Sequence, residues 1–186
     1  MRTICLLFSI AAAILAAPRV PTVDDLLKVK TAGGARISPD GRWVAYSVSE
    51  ADFTHDATVS HVWLADTASA KTFQLTRGEK SCGNPQWSPD GAWLAFTSDR
   101  AGGKNQIFVI RPDGGEATQL TKSESGVSGY AWSRDGKSIA FTAADPEPQQ
   151  MKDRKAHLGD FQVVRKEYAY THIWTFELGE VLKAPV

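Results

Sequence analysis

Pro85-Gln-Trp-Ser-Pro-Asp-Gly-Ala-Trp-Leu-Ala-Phe-Thr97 is the stretch on which the fold turns, because it has two siblings. Ala35-Arg-Ile-Ser-Pro-Asp-Gly-Arg-Trp-Val-Ala-Tyr-Ser47 precedes it, and Tyr130-Ala-Trp-Ser-Arg-Asp-Gly-Lys-Ser-Ile-Ala-Phe-Thr142 follows it. Asp40, Asp90 and Asp135 mark the copies, 50 and then 45 residues apart. Within each copy, Ser-Pro-Asp-Gly reads as a turn: proline fixes φ, aspartate bonds the nearby backbone, and glycine takes positive φ without steric cost. A strand follows. Val44 and Tyr46, Leu94 and Phe96, and Ile139 and Phe141 fall on one face, and Ala45, Ala95 and Ala140 fall on the other. Neither face is polar at its centre, so both should be covered, large residues of one sheet facing small residues of the next.

A second element follows each copy. His61-Val-Trp-Leu-Ala-Asp66 leads to Gln74-Leu-Thr76, and Gln106-Ile-Phe-Val-Ile110 leads to Gln119-Leu-Thr121. His172-Ile-Trp-Thr-Phe176 begins a third. A period of 45–50 residues holding several short strand-like runs is the signature of propeller blades. The expected fold is all-β: a partial β-propeller of about three four-stranded blades. Blade 1 is assigned to residues 35–84, blade 2 to 85–129 and blade 3 to 130–186, after a lead-in over 18–34. All six tryptophans occupy repeat positions, Trp43 with Trp93, Trp87 with Trp132, and Trp63 with Trp174, so packing accounts for them without a ligand-stacking platform.

The repeat is interrupted once. Val62 to Ile107 spans 45 residues and Ile107 to Ile173 spans 66. The surplus lies at about 145–170, rich in proline, glutamine and charge, and reads as a loop outside the sheets; Phe161-Gln-Val-Val164 could add a short strand.

The N-terminus reads as a secretion signal over residues 1–17: Arg2, then an apolar run from Ile4 to Leu15 too short to span a bilayer, then Ala16 and Ala17. The expected location is therefore periplasmic or extracellular, with no membrane attachment after cleavage; a retained anchor is the alternative, because Ile14 or Leu15 stands where a cleavage site favours alanine. Lys+Arg and Asp+Glu both total 21, which leaves no electrostatic footprint for nucleic acid.

No chemistry-bearing motif is complete. Gly126, Ser128 and Gly129 approach the nucleophile-elbow pattern, but Tyr130 breaks it. The histidines His55, His61, His157 and His172 form no zinc motif. His55-Asp56 beside Asp52 reads as an exposed polar loop, and Ala101 to Asn105 as a hairpin turn rather than a phosphate cradle. Cys82, alone once a signal is removed, reads as a small residue in an inter-strand turn. Catalytic, cofactor-binding and metal-binding residues are accordingly expected to be none. Glu167, followed by Tyr168 and Tyr170, is the one carboxylate that in an insertion near a propeller pore could meet a substrate amino terminus, although solvated surface is its favoured reading.

The Ser-Pro-Asp-Gly-x-Trp-x-Ala-Tyr/Phe repeats resemble those in the propeller of the prolyl oligopeptidase family of serine peptidases. With the lead-in Thr22-Val-Asp-Asp-Leu-Leu-Lys-Val-Lys30, the likeness covers residues 22–178 and points to secreted acylaminoacyl- and dipeptidyl-peptidase types. The TolB-like periplasmic propeller, which binds envelope proteins, shares the repeat and is the alternative. The resemblance implies a short helix over Asp24 to Lys30 and a non-catalytic role, covering a separate hydrolase domain and admitting only small peptides. It also implies a ring of seven or eight blades, on the order of 300 residues or more at this period. On that basis the chain is expected to be an N-terminal fragment, inactive by itself and prone to self-association through uncovered blade edges.

Overall fold

Ser-Pro-Asp-Gly folds in the same way three times. In the first copy the Gly41 amide donates to the Ser38 carbonyl at 2.8 Å, closing a β-turn with Pro39 and Asp40 at its centre. Gly41 then takes φ +73°, and Gly91 and Gly136 repeat this at +71° and +69°. The serine and aspartate lock the turn from inside. Ser38 Oγ donates to Asp40 Oδ1 at 2.5 Å and accepts from the Trp43 amide at 2.8 Å, while Asp40 Oδ1 also accepts from the Arg42 amide at 3.0 Å. Ser88 with Asp90, and Ser133 with Asp135, make the same three bonds. Arg134 stands where the other copies have proline, and the turn is unchanged.

The computed structural model describes residues 20–158 and 170–179. A short helix, α1 (Val23–Leu27), opens this part of the chain, capped by Thr22 and Asp25 in a reciprocal capping box. Strands β1 (Thr31–Ile37), β2 (Trp43–Asp52), β3 (Ala57–Asp66) and β4 (Thr72–Gln74) form one antiparallel sheet in that order. Strand β1 starts inside the stretch read as lead-in. Strands β5 (Cys82–Trp87), β6 (Leu94–Ser98), β7 (Gln106–Arg111) and β8 (Gly114–Gln119) form a second sheet with the same order. The third sheet pairs β9 (Gly129–Trp132), β10 (Ser138–Ala144) and β11 (Thr171–Glu177). It has three strands among the described residues, where four were expected. The all-β, partial-propeller architecture read from the repeat is therefore the observed one.

The insertion differs from its expected form. Gln149–Leu158 is a helix, α2, not loop. Pro148 precedes it and its carbonyl accepts from the Met151 and Lys152 amides, so the proline that suggested a loop instead starts a helix whose first turn needs no proline N–H. The candidate strand at Phe161–Val164, the signal stretch 1–17 and Glu167 lie outside the described residues. Among the described residues no helix is long and apolar enough to cross a membrane.

Large residues do face small ones across the sheets. Ala45, Val62 and Leu64 of blade 1 pack against Leu94, Phe96, Phe108 and Ile110 of blade 2. The other face of blade 2, with Ala95, Ile107 and Val109, packs against Tyr130 and Ile139 of blade 3, with Phe141 and Phe176 at the margin. Most of these side chains are fully buried, and each Val, Leu, Ile or Phe among them stabilises the stack by about 1.5–3 kcal/mol. The two ends of the stack are less covered: Ile37 on β1 is 68% exposed and Ile173 on β11 is 77% exposed.

Candidate functional site: the grooves between blades

Each Gln-Leu-Thr sequence closes its blade and starts the crossing to the next. Thr76 Oγ1 accepts from the Val62 amide at 2.9 Å, and Gln74 Nε2 donates to the Thr76 carbonyl at 2.9 Å. Thr121 with Ile107, and Gln119 with Thr121, repeat these bonds one blade on. The crossing segment then leaves a groove between itself and the face of the following blade. Two such grooves are present at equivalent positions. One, about 500 Å³, is lined by residues including Leu75, Thr76, Arg77, Arg100 and Ile110. The other, about 590 Å³, is lined by residues including Leu120, Thr121, Phe141, Ala143, Pro146 and Trp174.

The floors of the two grooves are built alike. Phe96 on β6 pairs with Phe108 on β7, and Phe141 on β10 pairs with Trp174 on β11. In the first groove Arg100 covers the aromatic pair. Its guanidinium carbon sits 5.5 Å from the Phe96 ring centre and 5.3 Å from that of Phe108. The same guanidinium donates to Cys82 Sγ at 2.8 Å, and Arg100 Nε donates to Ser98 Oγ at 3.2 Å. Phe96 and Phe108 are thereby sealed off, and Arg100 itself lines the groove. In the second groove the residue four past Phe141, in Arg100's place, is Asp145. The aromatic pair there lines the groove directly, and Trp174 is 53% exposed. Asp145 Oδ1 lies 3.1 Å from His172 Nε2. At the rim, Glu124 on the crossing segment meets Lys152 of α2 at 3.7 Å.

Residues singled out in the sequence fall elsewhere. Cys82 is not in a turn: it is the first residue of β5 and fully buried, because the small apolar side chain fits the packed interface of blades 1 and 2. His55 Nδ1 pairs with Asp52 Oδ2 at 2.7 Å, and Asp52 Oδ1 accepts from the Thr54 amide, so the hairpin uses this carboxylate itself. That hydrogen bond lowers Asp52's pKa and raises that of His55. Among the described residues no group of three or more His, Cys, Asp or Glu is placed to hold a metal. His61 and His172 do share a repeat position, opposite Val48 and Ala143. Burial pushes the pKa of His61 down. Tyr130, whose hydroxyl donates to the Asn84 carbonyl at 2.6 Å, is held well above its ordinary pKa by burial and serves to join blades. Arg100 is not singled out by the sequence, and Trp174, which its repeat position assigned to packing, is instead half-exposed because, among the described residues, none lies over it as Arg100 lies over Phe108. The signal was present in the exchange of arginine for aspartate at one repeat position.

Radially repeated antiparallel sheets, interlocked large face to small face, define the class: this is a β-propeller chain. It belongs to the TolB β-propeller family, whose profile, described as "TolB beta propeller domain", matches residues 25–170. An uncharacterized peptidase of Bacillus subtilis (strain 168), YuxL, is 37% identical over 96 residues, which are 52% of this chain and 15% of that protein. The chain thus spans a small part of that curated relative. Acylaminoacyl peptidase from Pyrococcus horikoshii superposes with a TM-score of 0.64 over 83% of this chain and 24% of its own, at 14% identity. The β-propeller domain of the Trilobed protease from Pyrococcus furiosus gives 0.54 over 82% of this chain and 41% of its own, at 15% identity. At such identities these two likenesses establish the fold.

Proposed function

We propose that the chain is the non-catalytic propeller portion of a serine peptidase of the prolyl oligopeptidase type, acting outside the cytoplasm. In this reading the propeller covers an active site carried by a hydrolase domain and restricts entry to small peptides. The observation that carries it is the 37% identity with a peptidase over half of the chain. The apolar run from Ile4 to Leu15 supports export. The chain's own side chains supply wall and rim rather than a nucleophile: its one described cysteine is buried under Arg100.

The test has two parts. Aminoacyl- and acylaminoacyl-nitroanilides are incubated with this chain, where no hydrolysis is expected. The coding sequence beyond Val186 is then read for an in-frame Gly-x-Ser-x-Gly elbow, and if it encodes one the longer product is assayed with short and long peptides. Hydrolysis limited to short peptides, and extended to long ones when residues 20–179 are deleted, supports the reading. Hydrolysis by this chain alone that a serine-directed inhibitor abolishes, or a reading frame of further propeller repeats without an elbow, overturns it. The family match favours, in that last case, a TolB-like propeller that binds envelope proteins.

A further inference from the structure

The two inter-blade grooves share an aromatic floor but differ in what lies on it. In the first, an arginine of the chain itself spreads its guanidinium over Phe96 and Phe108. In the second, the equivalent pair, Phe141 and Trp174, is open to the groove. The position that supplied the cation supplies a carboxylate, Asp145, set between the groove-lining Ala144 and Pro146. A second carboxylate, Glu124, lines the groove. We infer that the groove between blades 2 and 3 binds an arginine side chain presented by a peptide, which takes over the place that Arg100 fills in the preceding groove.

The chemistry favours arginine over other occupants. A planar guanidinium stacks on aromatic faces and is weakly hydrated, so it moves onto such a floor at low desolvation cost. Its fork matches a carboxylate in two hydrogen bonds, and Asp145 is half-exposed and sits in the arginine position. The groove's volume of about 590 Å³ lies in the range of sites for small ligands, so a side chain and its backbone can be accommodated. A leucine would satisfy the aromatic floor but add no charge or hydrogen bond opposite Asp145 and Glu124, whose solvent-accessible carboxylates already meet His172 and Lys152. No covalent step is involved, and the inference stands independently of the peptidase reading, since it concerns what this chain binds.

The experiment titrates the full chain, isotope-labelled, with N-acetyl-arginine-amide, with the isosteric but uncharged N-acetyl-citrulline-amide, and with N-acetyl-leucine-amide, following indole N–H resonances by NMR. The Trp174 signal, assigned by its loss in Trp174→Leu, is expected to shift saturably with arginine. Citrulline is expected to bind about tenfold more weakly, the value of one partly desolvated cation–π contact. Asp145→Arg is expected to fill the groove from within and abolish the arginine-induced shift. The Trp87 and Trp132 indole signals, which report blade contacts, should be unchanged in that variant. If Asp145→Arg loses those signals, Trp174→Leu serves instead: arginine binding is then followed by titration calorimetry and a loss of about tenfold in arginine affinity is expected. Equal binding of citrulline or leucine, undiminished arginine binding in the folded variants, or no saturable shift overturns the inference.

Discussion

The indole N–H of Trp87 donates to the backbone carbonyl of Arg36 at 3.0 Å, tying the first strand of blade 2 to the first strand of blade 1. One blade on, Trp132 donates to the carbonyl of Gln86 at 3.2 Å, and Gln86 holds in blade 2 the position Arg36 holds in blade 1. The bond is thus a rule of the repeat, by which each blade reaches back to the same atom of its predecessor. Blade 1 has Ile37 at this position, which has no N–H to offer and is exposed. A buried indole N–H needs a partner, and the strand carbonyl that faces the preceding blade supplies it.

Trp87→Phe keeps most of the apolar area but removes the donor. It is expected to cost about 1 kcal/mol, the net value of one neutral hydrogen bond, and Trp132→Phe the same. Urea unfolding of each variant checks this. Because the two bonds share no atoms but bracket Gln86, the double variant also measures whether the blade contacts are coupled.

Pro39 of the first turn rests on Gly91 of the second, and Pro89 on Gly136 of the third. A Cβ on Gly91 would meet Pro39 Cδ at 3.4 Å, and one on Gly136 would meet Pro89 Cδ at 3.4 Å. Gly102 has similar positive φ but nothing within 4 Å. Gly102→Ala is expected to cost roughly 1–2 kcal/mol for the left-handed backbone alone. Gly91→Ala should cost that and more, since the proline ring must move. Thermal or urea denaturation of the two variants side by side isolates the contact. Equal costs would show that the turns do not bear on one another.

The fold was legible because its rules are local and repeated. Ser-Pro-Asp-Gly specifies its own turn, the alternation at Leu94, Ala95 and Phe96 specifies two buried faces, and three copies specify a stack. The short capped helix at Thr22 followed from the resemblance. The helix at Gln149–Leu158 was not legible, because its residues carry no apolar stripe and its prolines sit at the one end of a helix that tolerates them. The burial of Cys82 was not legible either: its neighbours Gly83, Asn84 and Pro85 read as turn residues. In fact they form an irregular strand, with a register shift between Gly83 and Gln86 and Asn84 at φ +51°. The open groove depends on having no counterpart of Arg100, which in the preceding groove reaches over two rings, and the only trace of that three-dimensional relation in the sequence is a charge reversal at one repeat position.

The three turn aspartates should make the stack acid-sensitive. In Asp40, Asp90 and Asp135 the hydroxyl of the preceding serine, with backbone amides, lowers the pKa from the ordinary 3.8. A carboxylate depressed in the folded state stabilises that state above its unfolded pKa, and the contribution is lost as pH falls through the folded value. Melting temperature is therefore expected to drop as pH is lowered through and below 3.8. Ser88→Ala, which removes the largest cause at Asp90, should flatten that slope while lowering stability at neutral pH. A melting temperature in the Ser88→Ala variant that keeps the full acid slope would show that the turn hydroxyl is not its source.

His61 occupies the position of Gln106 but makes poorer use of it. Gln106 Oε1 accepts from Thr121 Oγ1 at 2.9 Å and from the Ser123 amide at 2.9 Å, and its Nε2 donates to the Ser123 carbonyl at 2.7 Å. His61 Nδ1 is buried with no hydrogen-bond partner. His61→Gln is expected to stabilise the chain by about 1 kcal/mol, by placing an amide where Thr76 and the backbone after it offer the same partners. The pH dependence gives a second readout. Desolvation is the main cause lowering His61 below its ordinary 6.5, with Arg100 adding to it. The unfolded chain thus binds the proton more readily, and stability falls as pH drops below 6.5 toward the folded value. His55 acts in the opposite sense: Asp52 raises its pKa, so its contribution is present below 6.5 and lost as pH rises through the raised value. Melting curves at about pH 5 and about pH 8, in a His55→Gln background that removes the opposing group, should show a gain from His61→Gln that is larger at the lower pH. A gain independent of pH would leave the missing hydrogen bond as its source and remove the imidazole charge from the account.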